Sequence, residues 1–325
     1  MIDVHLHLDG SVYPDTLIKI AQKENIKLPT YDVSELIKYL ECPRDCQSLN
    51  DYLTKFDLPG LVMQSKEGLE EVTYDLIRHL NEQGLIYSEI RFAPQLHLKN
   101  GLTQTEVVQY VLNGVKKASQ DFPIRVQIIL CCMRGKDNHF LNLETVKVAK
   151  KYLNKGVCAI DLAGAEALFK TKEFAEEFSL AKELNIPFTI HAGESDSIES
   201  IKTAIKFGAK RIGHGIRAID DEVFMDYLAE NKIGIEMCPT SNLQTKAVEN
   251  LKQYPLHEFL KHGMLVSINT DNMTVSQTTI KNEFDLLENE YALLPSEKTQ
   301  LLKNAVDMAF LTEEEKHSLL KKMGF

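Results

Sequence analysis

Tryptophan is missing from this 325-residue chain, and so is any apolar run near the roughly 18 residues that a membrane helix needs. Basic residues are outnumbered, 37 Lys and Arg against 47 Asp and Glu, for a formal net charge of −10. Surfaces that bind nucleic acid or anionic membranes are normally basic, so neither partner is expected. No basic segment leads into an apolar core at the N-terminus, so no secretion signal is read. Cysteine is sparse, and its six copies follow no disulfide framework: Cys42/Cys46 and Cys131/Cys132 are close pairs, while Cys158 and Cys238 stand alone. Cys42 and Cys46 also lack the second pair that a zinc knuckle requires. A reduced, cytoplasmic protein is the expectation. No linker or low-complexity run divides the sequence, and with 44% hydrophobic and 26% charged residues it reads as one globular domain over 1–325.

What the sequence does hold is a succession of short apolar runs. They lie at 2–8, 85–92, 124–132, 156–163, 187–192, 211–215, 234–239 and 265–271. Most are separated by amphipathic, Lys/Glu-rich segments such as TKEFAEEFSLAKELN (171–185), whose apolar residues recur every three or four positions. Strand and helix alternating eight times predict an α/β fold, a (β/α)8 TIM barrel of parallel strands. An open doubly wound sheet is the rival, but the glycine-rich phosphate turn after its first strand is absent. Residues 12–84 are too long for one crossover and predict extra helices inserted after strand 1. Within them Leu49, Tyr52, Leu53 and Phe56 share a helical face, either packed on the barrel or acting as an apolar lid. The stretch from about 279 reads as charged helices.

The first run, IDVHLHLDG, carries an unusual burden. In a strand, Val4, Leu6 and Leu8 share one face, and the other face presents Asp3, His5, His7 and Asp9. Further polar groups close other strands: HAGE (191–194), GHG (213–215) and NTDN (269–272). These are the C-terminal strand ends, where barrel enzymes place their chemistry. Chance alone supplies about 0.3 His-x-His pairs in a chain of this composition, so the pair means little by itself. Its company at the same end of other strands carries the weight. His5, His7, His191 and Asp271 together have the donor types of a zinc site, leaving His214 and Glu194 as a base and an acid beside it. His79, His97, His139, His257, His262 and His317 are expected at the surface.

In order along the chain, HLHLDGS (5–11), DLAGAE (161–166), HAGE (191–194), RIGHG (211–215), CPTSN (238–242) and SINTDN (267–272) resemble the motif set of the adenosine deaminase family, within the metal-dependent amidohydrolases. YSEIRFAP (87–94) resembles that family's second strand. The resemblance implies one zinc ion per chain, on His5, His7, His191 and Asp271, with His7 also meeting the substrate and Asp271 also serving catalysis. It implies that Glu194 protonates N1 of a purine and that His214 orients and deprotonates the attacking water. Asp9 would bind the ribose 5′-hydroxyl, the Gly164 backbone the purine N3, and Leu49, Tyr52, Leu53 and Phe56 would cover the nucleoside. The implied reaction is hydrolytic deamination of adenosine and 2′-deoxyadenosine to their inosine forms and ammonia. Two positions depart from the pattern. Ala165 replaces a common acidic residue, and Asn272 stands where well-known relatives carry an Asp that meets purine N7. A deaminase of adenine or of a modified adenosine, and an inactive nucleoside-binding barrel, are the rivals. Asp9 bears on the first, because free-base relatives tend to carry Glu there.

Overall fold

In the computed structural model, which describes residues 1–43 and 45–325, the apolar runs form eight parallel strands. They are β1 (Ile2–His7), β2 (Tyr87–Phe92), β3 (Arg125–Met133), β4 (Val157–Ala163), β5 (Thr189–Ala192), β6 (Arg211–His214), β7 (Gly234–Met237) and β8 (Leu265–Ile268). Each pairs with the next within β1–β4 and within β5–β8. Two junctions join these halves into a barrel. At one, the Ile160 amide donates to the Pro187 carbonyl at 3.1 Å. At the other, the His7 amide donates to the Asp271 carbonyl at 2.7 Å, and the Asp271 amide to the His5 carbonyl at 2.9 Å. The second of these junctions is therefore made by residues marked from the sequence as metal ligands.

Among the described residues, five α-helices fill the connection from β1 to β2: α1 (Pro14–Glu24), α2 (Val33–Leu40), α3 (Leu49–Leu53), α4 (Asp57–Val62) and α5 (Lys66–Glu82). Single helices bridge the next strands: α6 (Gln104–Asp121), α7 (His139–Tyr152), α8 (Ala175–Glu183), α9 (Ile198–Phe207) and α10 (Glu222–Glu230). Between β7 and β8 lie α11 (Pro239–Gln244) and α12 (Leu256–Lys261). After β8 come α13 (Met273–Ser276), α14 (Ile280–Glu290), α15 (Pro295–Met308) and α16 (Glu313–Lys322). Local chemistry sets these limits. Thr103 and Glu106 form a reciprocal capping box at the start of α6. Pro239 ends the apolar run 234–239 two residues early by opening α11, where its missing N–H costs nothing.

Strand alternation sorts the side chains. Ile90, Phe92, Ile128, Leu130, Ile160, Leu162, Ile190, Ile212 and Ile235 join the apolar layer shared with the helices. The intervening residues point into the barrel, and many are charged: Glu89, Arg91, Asp161, Arg211 and Glu236 are 0–1% exposed. Burying a charge is tolerable only when it is paired and hydrogen-bonded. Here Arg91 bridges Asp161 (2.8 Å) and Glu236 (2.9 Å), while Arg211 bridges Glu236 and Glu89, both at 2.6 Å.

Candidate active site

At the C-terminal mouth of the barrel, a cavity of about 210 Å³ is lined by His7, Asp9, His191, Glu194, His214, Asp271 and Asn272. Leu49, Tyr52, Leu53, Phe56 and Gly164 complete its wall. The structure thus gathers the sequence-marked residues in one place, with His5 directly beneath. A larger open cleft of about 1760 Å³ lies at the opposite end, and none of the candidate site residues line it.

The strand ends explain the crowding. His5 and His7, two apart on β1, point the same way, and β5 brings His191 beside them. His7 Nε2 is 3.2 Å from His191 Nε2, while Asp271 Oδ1 lies 3.3 Å from His5 Nε2 and 3.4 Å from His7 Nε2. One donor atom each from His5, His191, His214 and Asp271 also falls within a 4.8 Å cluster. His5 Nε2 is buried without a hydrogen-bond partner. Convergent imidazole lone pairs beside a carboxylate, with one nitrogen orphaned, fit a cation far better than they fit one another.

A second layer orients these groups. Glu236 Oε2 accepts from His5 Nδ1 at 2.7 Å, which turns the Nε2 lone pair of the neutral ring toward the cluster. Asp161 Oδ2 lies 2.9 Å from His191 Nδ1, poorly aligned with the ring N–H, and Arg134 holds the His191 carbonyl at 2.6 Å. The Ser241 hydroxyl donates to Asp271 Oδ2 at 2.6 Å. His214 and Asp271 adopt φ of +62° and +59°, a left-handed backbone that side chains adopt at a cost and that clusters at functional sites. The strand is shorter than the apolar run 265–271 predicted: β8 ends at Ile268, and Asp271 lies three residues beyond it.

Glu194 is 4% exposed. Burial, helped by the nearby Asp271 and Glu166 carboxylates, pushes it up to about 8, against the lowering effect of its bond to Thr245. Its acid form therefore prevails at neutral pH. The Thr245 hydroxyl donates to Oε1 at 2.9 Å, so the acid proton belongs on Oε2, 3.6 Å from His214 Nε2. His214 is held well below the usual histidine range by burial, against the pull of Asp271. Asn242 Oδ1 accepts from the Cys238 amide (3.4 Å) and the Tyr254 hydroxyl (3.1 Å), so its NH2 faces His214 Nδ1 at 2.9 Å. A neutral His214 accepting at Nδ1 carries its proton on Nε2, toward Glu194. Asp9, 8% exposed, is raised by burial to about 6.

Over the cavity, the stripe expected to form one helix is broken: α3 ends at Leu53, and Thr54–Phe56 is a tighter 3-10 turn. All four apolar residues still face the cavity, and the Tyr52 hydroxyl is 2.6 Å from Ser276 Oγ. Of the histidines expected at the surface, His317 is exposed, His79, His139, His257 and His262 are partly buried, and one departs altogether. His97 is 1% exposed rather than at the surface, because the turn after β2 folds it inward near Phe92.

A profile described as Adenosine deaminase matches residues 1–324. The chain belongs to the adenosine deaminase family. It is 49% identical over 324 residues to the adenosine deaminase of Haemophilus ducreyi, covering 98% of this chain and 94% of that protein. It is 42% identical over 322 residues to the adenosine deaminase of Enterococcus faecalis, covering 99% and 95%. Among solved structures, the adenine deaminase of Arthrobacter aurescens superposes with a TM-score of 0.89 at 25% identity, covering 98% of this chain and 96% of that one. The family's barrel is thus the barrel seen here. Among the described residues, no helix is long and apolar enough to cross a membrane.

Several contributors to the site escaped the sequence reading: Asp161, Ser241, Asn242, Thr245, Glu236 and Arg91. A usable signal existed for three of them. A charged residue in the middle of an apolar strand, as in YSEIRF, AIDLA and GIEM, marks the inward face by alternation.

Proposed function

We infer that this protein catalyses the hydrolytic deamination of adenosine and 2′-deoxyadenosine, giving the inosine forms and ammonia. One observation carries the reading: the buried carboxyl group of Glu194 faces a small cavity beside a converging cluster of imidazole nitrogens and a carboxylate. Hydrolysis adds water at C6, delivers a proton to N1 and releases the 6-amino group as ammonia. Glu194 Oε2 is the proton donor to N1, and Thr245 keeps that proton on the oxygen facing the cavity. His214, held by Asn242, directs its Nε2–H into the site, which suits orienting the water and stabilising charge. In that tautomer it takes up a proton only if the Asn242 amide turns over. Asp9 accepts the 5′-hydroxyl, the Gly164 backbone meets N3, and Leu49, Tyr52, Leu53 and Phe56 exclude bulk water.

His5, His7, His191 and Asp271 would hold one zinc ion. When bound, such an ion supplies Lewis acidity and lowers the pKa of a water toward about 7. A cytoplasmic location and a free nucleoside partner, without nucleic acid or membrane, complete the reading.

The test is spectrophotometric, because adenosine and inosine absorb differently in the ultraviolet. Purified protein is expected to convert adenosine and to contain about one equivalent of zinc, and His191→Ala to lose metal and activity together. Full activity with less than half an equivalent of any transition metal would sink the metal assignment. Equal rates on adenine and adenosine would move the protein to the free-base relatives.

A further inference from the structure

Of the buried carboxylates that the mechanism leaves unused, Glu166 packs against the catalytic turn. Glu166, 1% exposed, follows β4 in the DLAGAE segment and reaches across to the turn that carries Glu194. Its Oε1 accepts from the Gly193 amide at 2.7 Å, and its Oε2 accepts from the amides of Glu194 (3.0 Å), Ser195 (2.8 Å) and Asp196 (3.2 Å). Four successive backbone N–H groups thus converge on one side chain, a nest for an anion supplied from within the chain. A fifth donor, the Ser200 hydroxyl, reaches Oε1 at 2.5 Å. Behind it the donors run one way: Arg134 donates to Thr171 Oγ1 (3.0 Å), and Thr171 stands 2.7 Å from Ser200 Oγ, whose own proton points at Glu166. All five contacts of Glu166 are with donors, so the side chain serves purely as an acceptor.

The turn needs such an anchor. Gly193 has φ of +70°, and residues 193–197 lie between the end of β5 and the start of α9 with no strand ladder to hold them. Thr245 touches only the tip of Glu194, from another loop. We propose that Glu166 is the positioning residue of the catalytic acid, fixing the main chain of 193–196 so that the Glu194 carboxyl meets the substrate in one orientation. This rests on the reading of Glu194 as the acid. Glu166 lines neither the cavity nor the cluster of ligands, so it acts through the turn it clamps and, at a distance, through the charge that helps to raise Glu194.

Glu166→Gln is nearly isosteric but puts an NH2 where two or more amides point, so the nest loses acceptors without losing volume. With adenosine as substrate and zinc present, kcat is expected to fall about 10- to 100-fold, the weight of a small misplacement, while KM stays within about threefold. Hydrogen exchange at the amides of 193–196 is expected to quicken about tenfold or more, with the barrel strands unchanged. Unaltered kcat with slow exchange overturns the proposal. So does a general loss of protection across the barrel, which would make Glu166 a scaffold residue. If the Gln variant is insoluble, Ser200→Ala decides, since it removes one donor and keeps the charge. A fall of about threefold or more in kcat at steady KM, with faster exchange at 193–196, supports the clamp, and no change in either overturns it. Glu194→Gln is measured alongside. Wild-type turnover there removes the acid itself, whereas a slow Glu194→Gln beside a normal Glu166→Gln removes only the clamp.

Discussion

Asn272 shows how a single side chain sets what the cavity can read. It is 2% exposed, and although it is the N-cap residue of α13, its side chain makes no capping bond. Its Oδ1 has no hydrogen-bond partner among the described residues, and the amide packs so closely over Gly10 that a Cβ there would sit 1.7 Å from it. An amide spared from capping and fixed at the cavity wall can offer N–H to purine N7, which only accepts. An ionised Asp could not do this without a proton or a water. 7-Deazaadenosine, with C–H at that position, is therefore expected to lose roughly 1–3 kcal/mol of transition-state stabilisation in kcat/KM relative to adenosine. In Asn272→Ala the two substrates should react at nearly equal rates. The same penalty in both proteins would assign N7 to another group.

At the scale of single elements, the turn after β2 holds the most exposed failure of the sequence reading. His97 belongs to no periodic segment, so neither strand nor helix alternation could place it, and histidine outside a motif is usually solvated. The 3-10 turn Pro94–His97 instead buries the ring, with neither nitrogen hydrogen-bonded. Burial, with a smaller push from Lys99, lowers it from 6.5 to about 4. In the unfolded chain the imidazole takes a proton near pH 6.5, but the folded protein refuses it until about pH 4. Stability is therefore whole above about pH 6.5 and is lost as the pH falls toward 4, by up to roughly 3 kcal/mol at 1.36 per unit. Denaturant titrations of wild type and His97→Leu should show a difference that drifts across this window and is flat above pH 7. A constant difference at all pH values would mean that His97 is not buried as a neutral ring. Where periodicity was strong, reading was sound: all eight strands follow the apolar runs, and alternation on β1 turned His5 and His7 together. It was weakest where contacts made by tertiary structure decide, as with Asn242 and Ser241 in CPTSN, whose partners lie 28 and 30 residues away.

For the molecule as a whole, the cluster of candidate ligands draws on both halves of the barrel. His5 and His7 come from the β1–β4 sheet and His191 from the β5–β8 sheet, while Asp271 forms the seam against β1. A cation there would tie the halves as well as serve the reaction. Chelation is expected to lower the thermal midpoint, and added zinc to restore it, since a ligand at 100 times its Kd contributes about 2.7 kcal/mol to the folded state. An unchanged midpoint after verified metal removal would refute the tie. Beneath the seam, Arg91 joins Asp161 and Glu236 with no exposure to water. Arg91→Met leaves Asp161 buried without its guanidinium partner and Glu236 with Arg211 alone, and a loss of about 3–5 kcal/mol in denaturant unfolding is expected. The seam also imposes an order in time. A chain made from its N-terminus presents His5 and His7 first, and they wait through some 260 residues of synthesis for Asp271. Until the segment that follows β8 has left the ribosome, the nascent protein holds His5, His7 and His191 without Asp271.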